Sequence, residues 1–176
     1  SLAYAEWNKT KINLIDTPGI GNFFSDVRAA LGVVDAALVV VDAVGGVMVQ
    51  TEKVWAETEE LGLPRLIVLN RIDRERASLE RTLQALREAC NRTVIPVQLP
   101  IGEEKSFKGI VDLVNMTARV WLDETLGAKF DQVEIPEDLK AQAKQYHDQL
   151  VEAVRAHRDV SKAKGRSTIA TRRSPT

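Results

Sequence analysis

Two short polar segments of the 176-residue chain combine carboxylates with glycine or amide side chains directly after predicted strands. Asp16-Thr17-Pro18-Gly19 ends an alternating apolar and polar stretch at 11–16, and Asn70-Arg71-Ile72-Asp73 follows an apolar run at 65–69. A carboxylate at Asp16 can hold the water shell of Mg²⁺, a small cation that prefers hard oxygen ligands. Gly19 has no side chain to keep its backbone N–H from a phosphate oxygen. The first segment therefore predicts a site for a metal-bound phosphate.

The second segment suits recognition of a base. The two carboxylate oxygens of Asp73 can accept hydrogen bonds from the N1–H and N2–H₂ edge of guanine, whereas adenine presents neither donor pattern. A buried polar group without a partner costs about 1–3 kcal/mol, so such a site discriminates. Asn70 would brace the loop and meet the base from the other side, and the aliphatic stem of Arg71 can lie along it. Each segment alone is a weak signal, because turns after strands favour Asp and Gly. Both together, with a helix, a strand and a helix between them, favour nucleotide binding.

The elements around these segments alternate between strands and helices. The spacing predicts strands at 2–7, 11–16, 36–43, 65–69 and 93–97, and helices at 24–34, 50–61 and 78–90. The continuous apolar run at 36–43 is typical of a strand covered on both faces. Alternation with helices of about a dozen residues predicts an α/β fold, with a parallel sheet between helices and ligand loops at the carboxyl ends of its strands.

The character of the sequence changes after residue 98. A polar loop begins at Pro100, a short strand and turn begin at Phe107, and a long helix begins at Pro136. The apolar stripe of that helix consists of Leu139, Ala143, Tyr146, Leu150 and Val154. We predict one domain at 1–98, a partial inserted subdomain at 99–156, and a disordered, basic, low-complexity tail at 157–176.

Composition excludes several classes of protein. With 44% hydrophobic and 28% charged residues the chain has the material for a packed core, and its one cysteine excludes an internal disulfide framework and a multi-cysteine zinc site. No apolar run approaches the ~20 residues of a membrane span, and no secretory signal is present. We therefore expect a cytoplasmic protein without a membrane partner. Residues 1–156 carry a net charge of −6 and the last twenty carry +5, which permits nucleic-acid binding but is more typical of a solvated end.

Beyond single motifs, the chain resembles translation elongation factor G over residues 1–156. The matching stretches are residues 3–19, 28–31, 33–43 and 50–55. The resemblance implies a Ras-like P-loop GTPase fold, with a three-layer, mostly parallel sheet. It also implies that residues 16–20 and 70–73 contact GTP or GDP, and that Asp16 acts on Mg²⁺ through water.

Two departures from that family bear on activity. The position that usually holds a catalytic histidine is Ile20, which can neither orient water nor donate a hydrogen bond, as in a divergent elongation-factor-G-like branch. The phosphate-binding pattern GxxxxGK[ST] does not occur in the chain. We therefore expect an internal fragment of the GTPase domain that lacks its first strand and P-loop, and that is marginally stable or prone to aggregation by itself.

The resemblance implies a translational GTPase. The intact protein would be a monomer that binds GTP and hydrolyses it on the ribosome, in contact with rRNA and ribosomal proteins, to drive movement of tRNA and mRNA. Two alternatives remain open at the level of sequence. The chain could be a non-catalytic module that senses nucleotide or binds the ribosome, or an inactive truncated remnant.

Overall fold

The computed structural model describes residues 1–91, 93–121 and 129–163, of which 157–163 are described as backbone only. These residues form two compact units. One comprises Ser1–Val94 with Glu103–Lys105, and the other comprises Ile95–Gly102 with the residues from Ser106 onwards. No helix in the described ranges is long and apolar enough to cross a membrane.

The first unit contains two separate pairs of strands. The strands are Leu2–Trp7 (β1), Thr10–Ile15 (β2), Ala37–Asp42 (β3) and Arg65–Asn70 (β4). β1 and β2 form an antiparallel hairpin, whose turn residues Asn8 and Lys9 have φ of 47° and 62° as a tight hairpin turn requires. β3 and β4 are parallel and in register from Ala37 opposite Arg65. The predicted parallel pairing of these two strands is thus confirmed.

Helices connect these strands and cover one side of the parallel pair. They are Phe24–Leu31 (α1), Val49–Glu60 (α2) and Leu79–Cys90 (α3). Helices α2 and α3 each end or begin at a recognisable signal. The Ser78 side chain accepts a hydrogen bond from the Arg81 N–H at the start of α3, and Gly62, with φ of 64°, follows the end of α2. The Arg28 guanidinium on α1 makes two hydrogen bonds of 2.8 Å to the Glu57 carboxylate on α2.

The expectation that β3 is covered on both faces is wrong for this chain. Its inward residues Val39 and Val41 are 6% and 1% exposed and pack with Leu86 and Cys90 of α3. Its outward residues Leu38 and Val40 are each 59% exposed. The helices cover only one face of the pair, so the apolar run does not correspond to a fully buried strand.

The second unit is an antiparallel sheet in the order β5-β6-β7-β8. Its strands are Gln98–Ile101 (β5), Gly109–Asp112 (β6), Thr117–Val120 (β7) and Asp131–Val133 (β8). The strand predicted at 93–97 is wrong, because pairing with β6 begins only at Gln98 and overrides the β-branched residues before it. Pro100 is tolerated within β5 because this strand lies at the sheet edge. β7 and β8 lie between the short strand predicted at Phe107 and the helix predicted at Pro136, where the sequence analysis gave no strand.

Helix α4, Glu137–Ala163, completes this unit. It begins after Pro136 as predicted, and Ala143 and Tyr146 of the predicted stripe are buried. Val154 is 60% exposed, so its assignment to the buried stripe is wrong. The helical backbone runs seven residues past 156, and residues 164–176 of the predicted tail lie outside the described residues.

Candidate functional site

The carboxyl ends of the parallel strands β3 and β4 lie side by side. Their register places Asp42 opposite Asn70, and the Ala43 N–H donates a hydrogen bond of 2.9 Å to the Asn70 carbonyl. The loops that follow the two strands therefore begin at the same edge of the pair, which is where α/β folds bind ligands.

The loop at 70–73 is held by backbone hydrogen bonds at both ends. The Asn70 Oδ1 accepts a hydrogen bond of 2.9 Å from the Arg71 N–H, so this side chain braces its own loop. Arg71 adopts φ of 60°, and its carbonyl accepts a bond of 3.1 Å from the Arg74 N–H, which closes a turn over Ile72 and Asp73. Ile72 is half-buried, whereas the Asp73 side chain is 60% exposed and 3.9 Å from the Arg74 guanidinium. The carboxylate of Asp73 is therefore open to a ligand.

Asp42 is a residue of this edge that the sequence reasoning missed. Its Oδ1 accepts hydrogen bonds from the Val44 and Gly45 N–H groups at 2.8 and 3.3 Å, and its Oδ2 lies 3.0 Å from the Arg71 Nη1. The hydrogen bond from Val44 is the main cause that lowers the pKa of the Asp42 carboxyl, and Gly45 and Arg71 contribute in the same direction. An aspartate that ends an apolar run just before Gly45-Gly46 was the available sequence signal.

The other predicted segment follows β2. Asp16 is exposed, and its Oδ2 accepts a hydrogen bond of 3.1 Å from the Ser1 hydroxyl. Thr17 is half-buried, whereas Pro18 and Gly19 are exposed. A Cβ built on Gly19 would meet no atom within 4 Å, so packing within this chain leaves the space beside that residue open.

The residues after Gly19 lead directly into α1. Ile20 is 65% exposed. A Cβ on Gly21 would clash with the Gln50 Nε2 at the start of α2, so the bare backbone of this glycine lets the amide side chain approach closely. Gly21 thus lies close to the amino-terminal turn of α2 through the Gln50 side chain.

The two predicted loops have separate sets of partners. No hydrogen bond or ion pair between described residues joins 16–20 to 70–73. In the part of the chain that the structure describes, no group of three or more His, Cys, Asp or Glu side chains is placed to hold a metal ion. The arrangement offers one exposed carboxylate at each loop, Asp16 and Asp73, as a potential acceptor or outer-sphere metal ligand.

Comparison with known proteins identifies the class of domain. The family model described as the elongation factor Tu GTP binding domain matches residues 1–164. A crystal structure of a protein from Thermus thermophilus superposes with a TM-score of 0.80 and 27% sequence identity, over 96% of this chain and 25% of that one. The chain thus spans about a quarter of the length of that solved structure. It belongs to the family of the elongation factor Tu GTP-binding domain.

Proposed function

We propose that this chain is part of an elongation-factor-G-like GTPase that hydrolyses GTP on the ribosome and thereby drives movement of tRNA and mRNA. The single observation that carries the proposal is the loop at 70–73. It follows a parallel strand at the ligand-binding edge, its backbone is fixed by hydrogen bonds, and the Asp73 carboxylate is exposed. Such a protein would act in the cytoplasm as a monomer, with rRNA and ribosomal proteins as its partners.

Guanine recognition is assigned to the loop at 70–73. Asp73 would accept hydrogen bonds from the N1–H and N2–H₂ groups of guanine, because its side chain is exposed and lies 3.9 Å from the Arg74 guanidinium, which is beyond hydrogen-bond distance. Asn70 supports the loop through its bond to the Arg71 N–H, and Ile72 supplies an apolar contact beside the base.

The phosphate end of GTP is assigned to residues 16–20. The residues fit a hydrated Mg²⁺, because Asp16 presents an exposed carboxylate and Mg²⁺ keeps several of its waters while binding one or two carboxylates. When bound, Mg²⁺ would neutralise charge that develops on the phosphate oxygens. The open space beside Gly19 fits the approach of a terminal phosphate to its backbone N–H, and Thr17 and Pro18 belong to the same proposed segment between Asp16 and Gly19.

The side chain of Ile20 favours a second candidate function. It is 65% exposed and has no group that can orient water, so this chain brings no acid or base to the position where its family commonly has a histidine. A module that senses nucleotide or binds the ribosome without turnover would tolerate this residue. Slow hydrolysis assisted by another group or by the ribosome would do so as well.

We further propose that the chain is an internal piece of its GTPase domain, with a strand and a P-loop supplied by another part of the protein. Two observations support this. Within the part of the chain that the structure describes, β2 and β3 belong to separate two-stranded sheets, so both have an unpaired edge. The outward residues Leu38, Val40 and Leu66 are 50–59% exposed, which leaves an apolar face that a covering element would bury. An inactive remnant would share these features but would not bind GTP.

The test is nucleotide binding by the full-length product of the reading frame that contains these residues. We expect it to bind GDP and not ADP. The Asp73→Asn variant should lose about tenfold or more in GDP affinity, since hydrogen bonds to charged groups contribute about 1.5–3 kcal/mol. It should gain affinity for xanthosine diphosphate, because the asparagine amide can donate to the 2-oxo group. Asp148→Asn on α4, an exposed carboxylate outside the site, is the matched control.

The outcomes separate the candidates. Equal affinity for GDP and ADP in the parent protein would refute guanine recognition, and no nucleotide binding would leave the remnant or a module that only binds the ribosome. GDP binding without ribosome-stimulated turnover would establish the non-catalytic module. GDP binding with turnover stimulated by ribosomes would establish the GTPase.

A further inference from the structure

The turn that carries Asp73 depends on one residue, Arg71. Its N–H donates to the Asn70 Oδ1 at 2.9 Å, its carbonyl accepts from the Arg74 N–H at 3.1 Å, and its guanidinium donates to the Asp42 Oδ2 at 3.0 Å. The carbonyl contact closes the turn over Asp73, so the direction of that carboxylate follows from the conformation of Arg71.

That conformation is unusual for an arginine. A φ of 60° lies in the left-handed region, where a side chain with a Cβ is strained and where surrounding contacts must hold it. The two backbone contacts are local to the loop. The ion pair with Asp42 is the contact that ties Arg71 to a neighbouring strand.

Asp42 is itself rigidly placed. It is the last residue of β3, in register with Asn70, and the N–H groups of Val44 and Gly45 donate to its Oδ1. Its Oδ2 is thereby directed at Arg71. The Asp42 side chain is 28% exposed, whereas that of Arg71 is 63% exposed. We therefore take Asp42 as the better fixed side chain of the pair, which restrains Arg71.

We propose that Asp42 is a positioning residue for guanine discrimination, which acts by holding Arg71 and, through it, the turn that presents Asp73. The inference deepens the proposed function and rests on it. In this proposal the Arg71 guanidinium pairs with Asp42 and does not bind a nucleotide phosphate. Asp42 itself makes no contact with the base.

The test compares GDP with inosine diphosphate in the full-length product. Hypoxanthine lacks the 2-amino group, so it forfeits one of the two hydrogen bonds to Asp73. The dissociation constant of inosine diphosphate divided by that of GDP therefore reports how well the Asp73 carboxylate is placed, and this quotient is the ratio used below. Asp42→Asn keeps an oxygen for the Val44 and Gly45 N–H groups and removes the charge. Arg71→Met keeps the length of the stem and removes the charge.

We expect each single substitution to lower the ratio by about two- to fivefold, the range for an exposed ion pair. The double variant should show the same fall as either single variant, because both remove one interaction. Arg71→Lys should keep the ratio within about twofold of the parent, since a cation is retained. Asp148→Asn, which removes an exposed carboxylate from α4, should leave it unchanged.

Other results would overturn the inference. GDP binding with an unchanged ratio in Asp42→Asn would show that the ion pair does not place Asp73, while leaving the proposed function intact. A double variant whose fall equals the product of the two single falls would show independent effects. A fall in Asp148→Asn would show a general effect of charge. Absence of GDP binding in the parent protein would overturn the proposed function and this inference together.

Discussion

Replacing Leu38 by glutamine should destabilise the full-length product much more than the isolated chain. Leu38 lies on the outward face of β3 and is 59% exposed, so roughly two-fifths of its surface is buried in this chain. Full burial of a leucine contributes about 1.5–3 kcal/mol, so the substitution should cost the isolated chain about 1 kcal/mol or less. If another segment covers the face in the full-length product, the variant loses the whole burial term and leaves an amide without a partner. The cost should then be roughly 3–6 kcal/mol.

Urea unfolding of the full-length product measures the larger effect. In the isolated chain, sedimentation and binding of an apolar dye report on the exposed face, and both aggregation and dye binding should fall in the variant because that face becomes more polar. Val33→Gln is the matched control, because Val33 is 76% exposed after the end of α1 and should tolerate the change in both contexts. A full-length Leu38→Gln protein as stable as Val33→Gln would refute the covered face. A cooperative unfolding transition of the isolated chain in the usual mesophile range would contradict its marginal stability.

Three further predictions concern catalysis, pH and the core. Ile20→His should raise ribosome-stimulated GTP turnover of the full-length product by at least about tenfold, since a positioned acid or base contributes about 10²–10⁴; similar turnover in both proteins would reject the non-catalytic candidate. The lowered pKa of Asp42 means that folding favours its charged form. The resulting contribution to the free energy of unfolding is present above the ordinary aspartate pKa of about 4, and it is lost as the pH falls through the lowered pKa of the folded state. The thermal midpoints of the parent and Asp42→Asn should therefore differ at about pH 7 and converge below about pH 4, and a constant difference would contradict this cause. Leu86→Ala, at a site 1% exposed, should cost the full-length product about 2–5 kcal/mol by urea unfolding, at least twice the cost of Leu61→Ala at a site 45% exposed.

Local patterns in the sequence were sufficient to predict most helices and strands of the first unit. The alternation in 11–16 predicted β2, and the helical spacing predicted α2 and α3 to within one residue of their observed ends. These signals succeed because they depend on neighbours within a few residues, such as the hydroxyl that accepts the Arg81 N–H. The strand at 98–101 was missed because its position is set by pairing with β6, a contact that propensity does not encode.

The sequence by itself predicted which residues could bind a guanine nucleotide, because the types and order of Asp16, Gly19, Asn70 and Asp73 suit that chemistry. Only the tertiary structure decided that Asp42 lies opposite Asn70 and that its carboxylate holds the charged end of Arg71. It also decided which face of β3 is buried and which face is exposed. The physical reason is that residue type fixes the hydrogen bonds that a side chain can make, whereas strand register and the packing of distant helices fix which partner is within reach.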